Sequence, residues 1–176
     1  MSPKPRILDL FCGAGGAGEG YRRAGFEVVG VDLDEAALAE NPHETHCADA
    51  LTFSTDGFDA IHASPPCQAH SVTKTFHPGA DHPDLIPATR EMLEASGLPY
   101  VIENVPGAPI RKDLMLCGEM FGLRLHRHRY FEMNWNCPKI THTKHILKGA
   151  LHNCDLRVGH ARQIAGNFSD LASART

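Results

Sequence analysis

No uninterrupted apolar run in this chain of 176 residues approaches the ~18 residues needed to cross a bilayer, so no membrane-spanning helix and no membrane partner is expected. The opening Met1-Ser2-Pro3-Lys4-Pro5-Arg6 lacks a secretory apolar core and leads straight into a strand-like segment. Internal repeats and low-complexity tracts are absent, which removes solenoid and fibrous classes. The six cysteines (Cys12, Cys47, Cys67, Cys117, Cys137 and Cys154) show none of the framework spacing of a small secreted domain. Reduced thiols and a cytoplasmic location are therefore expected. An overall excess of positive charge is missing too, since the formal net charge is −4.

What is present is an ordinary globular composition, 42% hydrophobic and 22% charged, with its charge unevenly spread. Residues 1–110 hold 6 Lys and Arg against 16 Asp and Glu, whereas residues 111–176 hold 11 against 5. A basic last third on an acidic body suits a polyanion gripped from one side; a plain solvated face is the competing reading.

Arg6 to Phe11 reads as a short buried strand that breaks into Gly13-Ala14-Gly15-Gly16-Ala17-Gly18. A helix over Glu19 to Ala24 follows, then a strand over Phe26 to Val31 ending at Asp32. This βαβ start implies an α/β, mostly parallel doubly wound sheet. A helix at Glu35 to Glu40, a weak strand near His46 to Leu51, a strand at Ala60 to Ala63, a helix at Leu85 to Ala95 and a strand at Tyr100 to Val105 continue the alternation. After Gly122 the alternation stops, with one more strand-like stretch over Arg124 to Glu132. Between Ala63 and the helix at Leu85, the polar segment Val72 to Pro83 is too long for a simple connection and reads as a lid beside Cys67.

The glycine turn is not the phosphate-binding G-x-G-x-x-G, and Asp9 stands beside it. A carboxylate there repels a pyrophosphate and suits a cofactor with a cationic end, such as S-adenosylmethionine (SAM). Asp32 follows Gly13 at close to the ~20-residue spacing expected of an acid on ribose hydroxyls. Asp9, Asp32 and Asp49 fall near successive strand ends, and so line the carboxyl edge where open α/β sheets bind ligands. Cys67, in Ser64-Pro65-Pro66-Cys67-Gln68, is a thiol held by a proline turn at the next strand end. Burial of a structural cysteine is the alternative at that position.

Leu8-Asp9-Leu10-Phe11-Cys12-Gly13-Ala14-Gly15-Gly16, Ser64-Pro65-Pro66-Cys67-Gln68, Glu103-Asn104-Val105 and Arg127-His128-Arg129 stand in the order of the signature motifs of the DNA cytosine-C5 methyltransferases, a family this chain resembles over roughly residues 6–132. The resemblance implies a Rossmann-like SAM-dependent methyltransferase fold, SAM as cofactor and cytosine-containing DNA as partner. It implies a covalent mechanism in which Cys67 adds to C6 of a flipped-out cytosine, Glu103 bonds the exocyclic amine and N3, and Arg127 and Arg129 contact the base carbonyl, phosphate and the Cys67 loop. It also implies a cofactor site formed by Asp9, Phe11, Gly13, Ala14, Gly15, Gly16 and Pro66, with Asp32 on the ribose, Leu33 against the adenine and Asp49 on the adenine amine. RNA as substrate, or a non-catalytic SAM- or nucleic-acid-binding module, are the alternative readings.

The pattern departs from the family at two places. Leu125 stands where the arginine motif usually carries Gln. Beyond residue 132 the family normally inserts a large target-recognition domain, whereas 44 residues remain here, with Gln163 to Asn167 only faintly similar to the last motif. The expected organisation is a catalytic domain over 1–132 and a short, basic, His-rich segment over 133–176 that reads DNA minimally, as in phage-type members. Cys137, His142, His145, His152 and Cys154 are of zinc-ligating types, but their spacing matches no standard zinc pattern, so no metal is expected.

Overall fold

A computed structural model describes residues 3–66, 83–123, 126–138 and 140–142. Among the described residues seven strands form one sheet: β1 (Arg6–Leu10), β2 (Glu27–Asp32), β3 (Glu44–Cys47), β4 (Ala60–Ala63), β5 (Tyr100–Asn104), β6 (Leu114–Cys117) and β7 (His128–Met133). Their order is β3-β2-β1-β4-β5-β7-β6. The first five are parallel, and β7 lies antiparallel to both β5 and β6. Helices α1 (Gly16–Arg23), α2 (Glu35–Ala39) and α3 (Ile86–Ser96) make the crossovers. The expected mostly parallel α/β sheet is what the chain adopts. None of the described helices is long and apolar enough to cross a membrane.

The two faces of the sheet differ in chemistry. Leu8, Leu10, Val31, Ile61, Ala63, Tyr100 and Ile102 point to one side and pack with Ile86 and Leu93 of α3 as the main core. The other side carries Asp9, which sits in register with Gly30 on β2 and His62 on β4. Helix α1 covers that polar face, and its Tyr21 hydroxyl bonds His62 Nδ1 at 2.9 Å. Helices thus lie on both faces, as right-handed crossovers running outward in both directions from β1 require. The reversal of strand order falls between β1 and β4, so their carboxyl ends flank the crevice where ligands enter.

Several boundaries differ from the sequence expectation. Helix α1 begins at Gly16, inside the glycine run, because Gly15 adopts φ 81 and its carbonyl accepts the Glu19 amide at 2.9 Å. A side chain at Gly15 would also collide with Asn41. Strand β3 begins at Glu44, and Ala48 to Thr52 turns away instead of extending. Strand β6, the apolar run Leu114 to Cys117, is an addition to the expected elements.

Strand β7 is locked by a buried ion cluster. Glu132 is fully buried; Arg90 of α3 grips it with two bonds of 2.7 and 2.9 Å. The Arg111 amide adds a bond of 2.8 Å, and its guanidinium lies at 3.2 Å. Burial alone would raise the Glu132 pKa, but these bonds and charges hold it below its ordinary value. Removing one partner from a buried pair strands the other charge. Arg90→Met should therefore lower the unfolding free energy by about 3 kcal/mol, the low end because Arg111 remains. An unchanged urea midpoint would show that the cluster does not hold β7.

Candidate active site

The turn after β1 is built by clamps from neighbouring elements. Phe11 takes φ 58, a left-handed conformation that costs a bulky residue ~1–3 kcal/mol and persists only where surroundings enforce it. They do so here through Gly13: its amide donates to Asp32 Oδ2 at 2.8 Å and its carbonyl accepts from Asn41 Nδ2 at 3.0 Å. Gly30 leaves room for the turn, since a Cβ there would lie 2.7 Å from Cys12 Sγ. Ala14 and Gly16 complete the loop and open α1. Asn41 was not anticipated; its Asx-type bond to the His43 amide marks only a local turn in sequence terms.

The electrostatics of this edge are acidic and unbalanced. Asp9 is buried, and neither of its carboxylate oxygens has a hydrogen-bond partner of ordinary geometry among the described residues. Burial pushes its pKa up to about 7; the charge of Asp32 adds to the rise and the Gly18 amide opposes it. Asp32 accepts amides from Gly13 and Asp34, using about two of the roughly four acceptor sites a carboxylate offers. Its remaining sites are free for hydroxyl donors. Leu33, next along, is 69% exposed, as an apolar platform for a flat ring would be. Asp49 is exposed and spends one oxygen on the Leu51 amide. An unneutralised buried carboxylate, an acid with spare acceptors and an exposed apolar residue together fit SAM, whose amino-acid end is cationic and whose adenosine offers hydroxyls and an amine.

On the other side of the crevice, β5 presents Glu103 and β7 presents Arg129. Because β7 runs antiparallel with Asn104 opposite Tyr130, its first residues arrive at the carboxyl edge of the parallel strands. Arg129 Nε lies 2.7 Å from Glu103 Oε1. Desolvation raises the Glu103 pKa above its ordinary value, opposed by the charges of Arg129 and Arg127 and a hydrogen bond from Ser64. Ser64 in turn bonds His62 Nε2 at 2.8 Å, so a part-buried chain runs Tyr21, His62, Ser64, Glu103. Burial holds the His62 pKa down to about 4, so its ring is neutral and can pass one hydrogen bond along in a single direction.

Asn104 is the second residue that sequence reading left without a role. It is buried, and its Nδ2 donates to the Pro65 carbonyl at 3.0 Å, tying β5 to the proline turn. Pro66 is exposed at that edge, one residue before Cys67. Cys67 itself, the lid expected over 72–83 save Pro83, Leu125 and the segment 143–176, with His145, His152, Cys154 and Gln163 to Asn167, lie outside the described residues. Cys12 is close to the turn but inert, because burial, then Asp9 and Asp32, push its thiol up to about 12.

The model of the family described as C-5 cytosine-specific DNA methylase matches residues 5–110. The Type II methyltransferase M.AgeI of Thalassovita gelatinovora is 35% identical over 84 residues, covering 38% of this chain and 20% of that protein. The chain thus spans about a fifth of the length of the curated relative it matches. Among solved structures, magnesium protoporphyrin IX methyltransferase from Synechocystis PCC 6803 with bound SAM superposes with a TM-score of 0.43 at 17% identity, over 59% of this chain and 50% of that one. An S-adenosylmethionine dependent methyltransferase from Mesorhizobium loti gives 0.40 at 24% identity, over 60% and 49%.

The two shifted groups on the polar face act oppositely with pH. Asp9 binds its proton more tightly folded than unfolded, so its contribution to stability is full below about pH 4 and is lost as pH rises through about 7. His62 binds its proton less tightly folded, so its contribution is present above about pH 6.5 and lost as pH falls towards about 4. Asp9→Asn removes the first effect only. The stability of Asp9→Asn relative to the parent should rise between about pH 5 and about pH 8 by on the order of a few kcal/mol, measured by urea denaturation. A pH-independent difference would show that Asp9 is not strained by burial.

Proposed function

The chain belongs to the C-5 cytosine-specific DNA methylase family, and we propose that it transfers a methyl group from SAM to C5 of cytosine in DNA. The observation that carries this reading is the Glu103–Arg129 pair at the carboxyl edge, next to the proline turn that Asn104 holds. A base carboxyl with a raised pKa, an arginine that fixes it and a thiol one residue beyond Pro66 are the three parts a poor carbon nucleophile requires. Residues 1–132 form the catalytic unit, and the short basic segment 133–176 reads the DNA minimally. The reaction belongs in the cytoplasm, where a thiol nucleophile stays reduced.

Cys67 thiolate adds to C6, forming the S–C6 bond while the C5=C6 electron pair is driven towards C5 and the N3 side of the ring. Glu103 donates its proton at N3 with one oxygen and accepts from the exocyclic amine with the other, which stabilises the charge that develops. Arg129 keeps the carboxyl in plane, and Arg127 adds positive charge for phosphate and the base carbonyl. Bound SAM supplies an electrophilic methyl group for the activated C5. Asp9 pairs its cationic end, Asp32 takes the ribose hydroxyls, and Leu33 and Asp49 flank the adenine, with Phe11, Gly13 to Gly16 and Pro66 shaping the wall. Loss of the C5 proton to water then re-forms C5=C6, N3 returns its proton and Cys67 leaves as thiolate. A base within a duplex has C6 stacked and unreachable, so the target is flipped out.

Incubation with methyl-labelled SAM and either DNA or RNA, followed by nucleoside identification, should yield 5-methylcytosine from DNA. Label in RNA alone would reassign the substrate, and 5-methylcytosine in neither would leave a binding module. Cys67→Ser should abolish turnover, and Glu103→Gln should lower kcat by at least about 100-fold while SAM binding persists. Full activity in either variant would overturn the mechanism.

A further inference from the structure

On the face of β7 opposite Arg129, three metal-ligating side chains converge on the β6–β7 hairpin. Cys117 ends β6 and His128 begins β7, and the two are directly opposed cross-strand partners. His142, nine residues past the end of β7, folds back so that its ring centroid lies 5.1 Å from that of His128. One ligand atom from each of Cys117, His128 and His142 lies within 4.8 Å of the other two. Cys117 is buried and both histidines are half-buried, so the group is shielded without being sealed.

We infer that Cys117, His128 and His142 bind a zinc ion. One thiolate and two imidazoles are a borderline-soft set that suits tetrahedral zinc, with water at the fourth position. Zinc bonds of ~2.3 Å to sulfur and ~2.0–2.1 Å to nitrogen place ligand atoms roughly 3.3–3.8 Å apart, so closure needs side-chain shifts of about 1 Å. The cysteine and histidine content of the tail alone does not mark this site, because two of the three ligands come from the hairpin before it. Side chains alternate along a strand, so His128 faces away from Arg129. The ion therefore ties the start of β7 to the segment after it on one side, while Arg129 meets Glu103 on the other. Its role is to hold the arginine end of β7 at the carboxyl edge, whichever nucleic acid is the substrate.

Tag-free protein dialysed into metal-free buffer should retain about one zinc per chain by mass spectrometry of the metal. Reconstitution with Co(II) should give the charge-transfer band of a thiolate-bound ion. Cys117→Ser should abolish that band, and His142→Ala, at a half-buried position beyond the last strand, should weaken zinc affinity at least about tenfold with an unchanged circular dichroism spectrum. Cys47→Ser, on the far edge of the sheet, should change neither. Absence of zinc with no cobalt band, or a band that survives Cys117→Ser, would overturn the assignment.

Discussion

The pairing of Glu103 with Arg129 at the carboxyl edge depends on the register in which β7 enters the sheet, and that register is fixed by Glu132. A carboxylate with no solvent exposure has to be met by charge, and the two arginines that meet it come from α3 and from the segment leading into β6. Sliding β7 by one residue would turn Glu132 to the opposite face and leave Arg90 without it. Sliding it by two would move Arg129 away from Glu103 by about 7 Å, at the ~3.4 Å rise of a strand residue. The ion cluster is thus less a source of stability than a register device. It specifies which arginine stands beside which acid.

The polar face under α1 shows the reverse arrangement, in which polar groups are kept without full compensation. His62 is satisfied on both ring nitrogens, yet Asp9 one strand away is not. A buried carboxyl lacking partners destabilises the folded state when ionised, and a cation at that position converts the cost into affinity. That is why the absence of a phosphate-type glycine motif and the presence of Asp9 belong together. In the proposed cofactor site the turn admits SAM close to the backbone, and the acid beneath it matches the cofactor's cationic end.

Most of the scaffold was legible because its signals are local. Alternating short apolar runs and turns gave β1, β2, β4, β5 and α3 to within a residue or two, and strand-end acids marked the edge. Phe11 was read as strand, whereas its positive φ arises from Gly13 being held by Asp32 and Asn41, residues 19 and 28 positions on. Strand β6 is a four-residue apolar run whose one partner among the described strands is β7. Asn104 was visible within a motif, but its hold on the Pro65 carbonyl crosses 39 residues. The histidines of the tail invited a local metal pattern, and His142 instead meets Cys117 and His128 by tertiary folding.

The thiols illustrate how one side chain is made to do different things by its surroundings. Cys12 lies between two acids and out of water, where a thiolate is strongly disfavoured, so it serves as packing below Gly30. Cys117 is buried opposite His128 with His142 beside it, so that three side chains of ligand type converge on one point. The turn before Cys67 has its Pro65 carbonyl pinned by Asn104, and Arg129 beside Glu103 brings positive charge to the same side of the crevice, with the acids of β1 and β2 across the switch point. Positive charge lowers a thiol pKa and negative charge raises it. In the proposed reaction the same sheet edge therefore sets an acidic half, suited to a cationic cofactor, apart from the half where Arg129 stands, suited to a thiolate and a polyanion, and the boundary between them is the gap between β1 and β4.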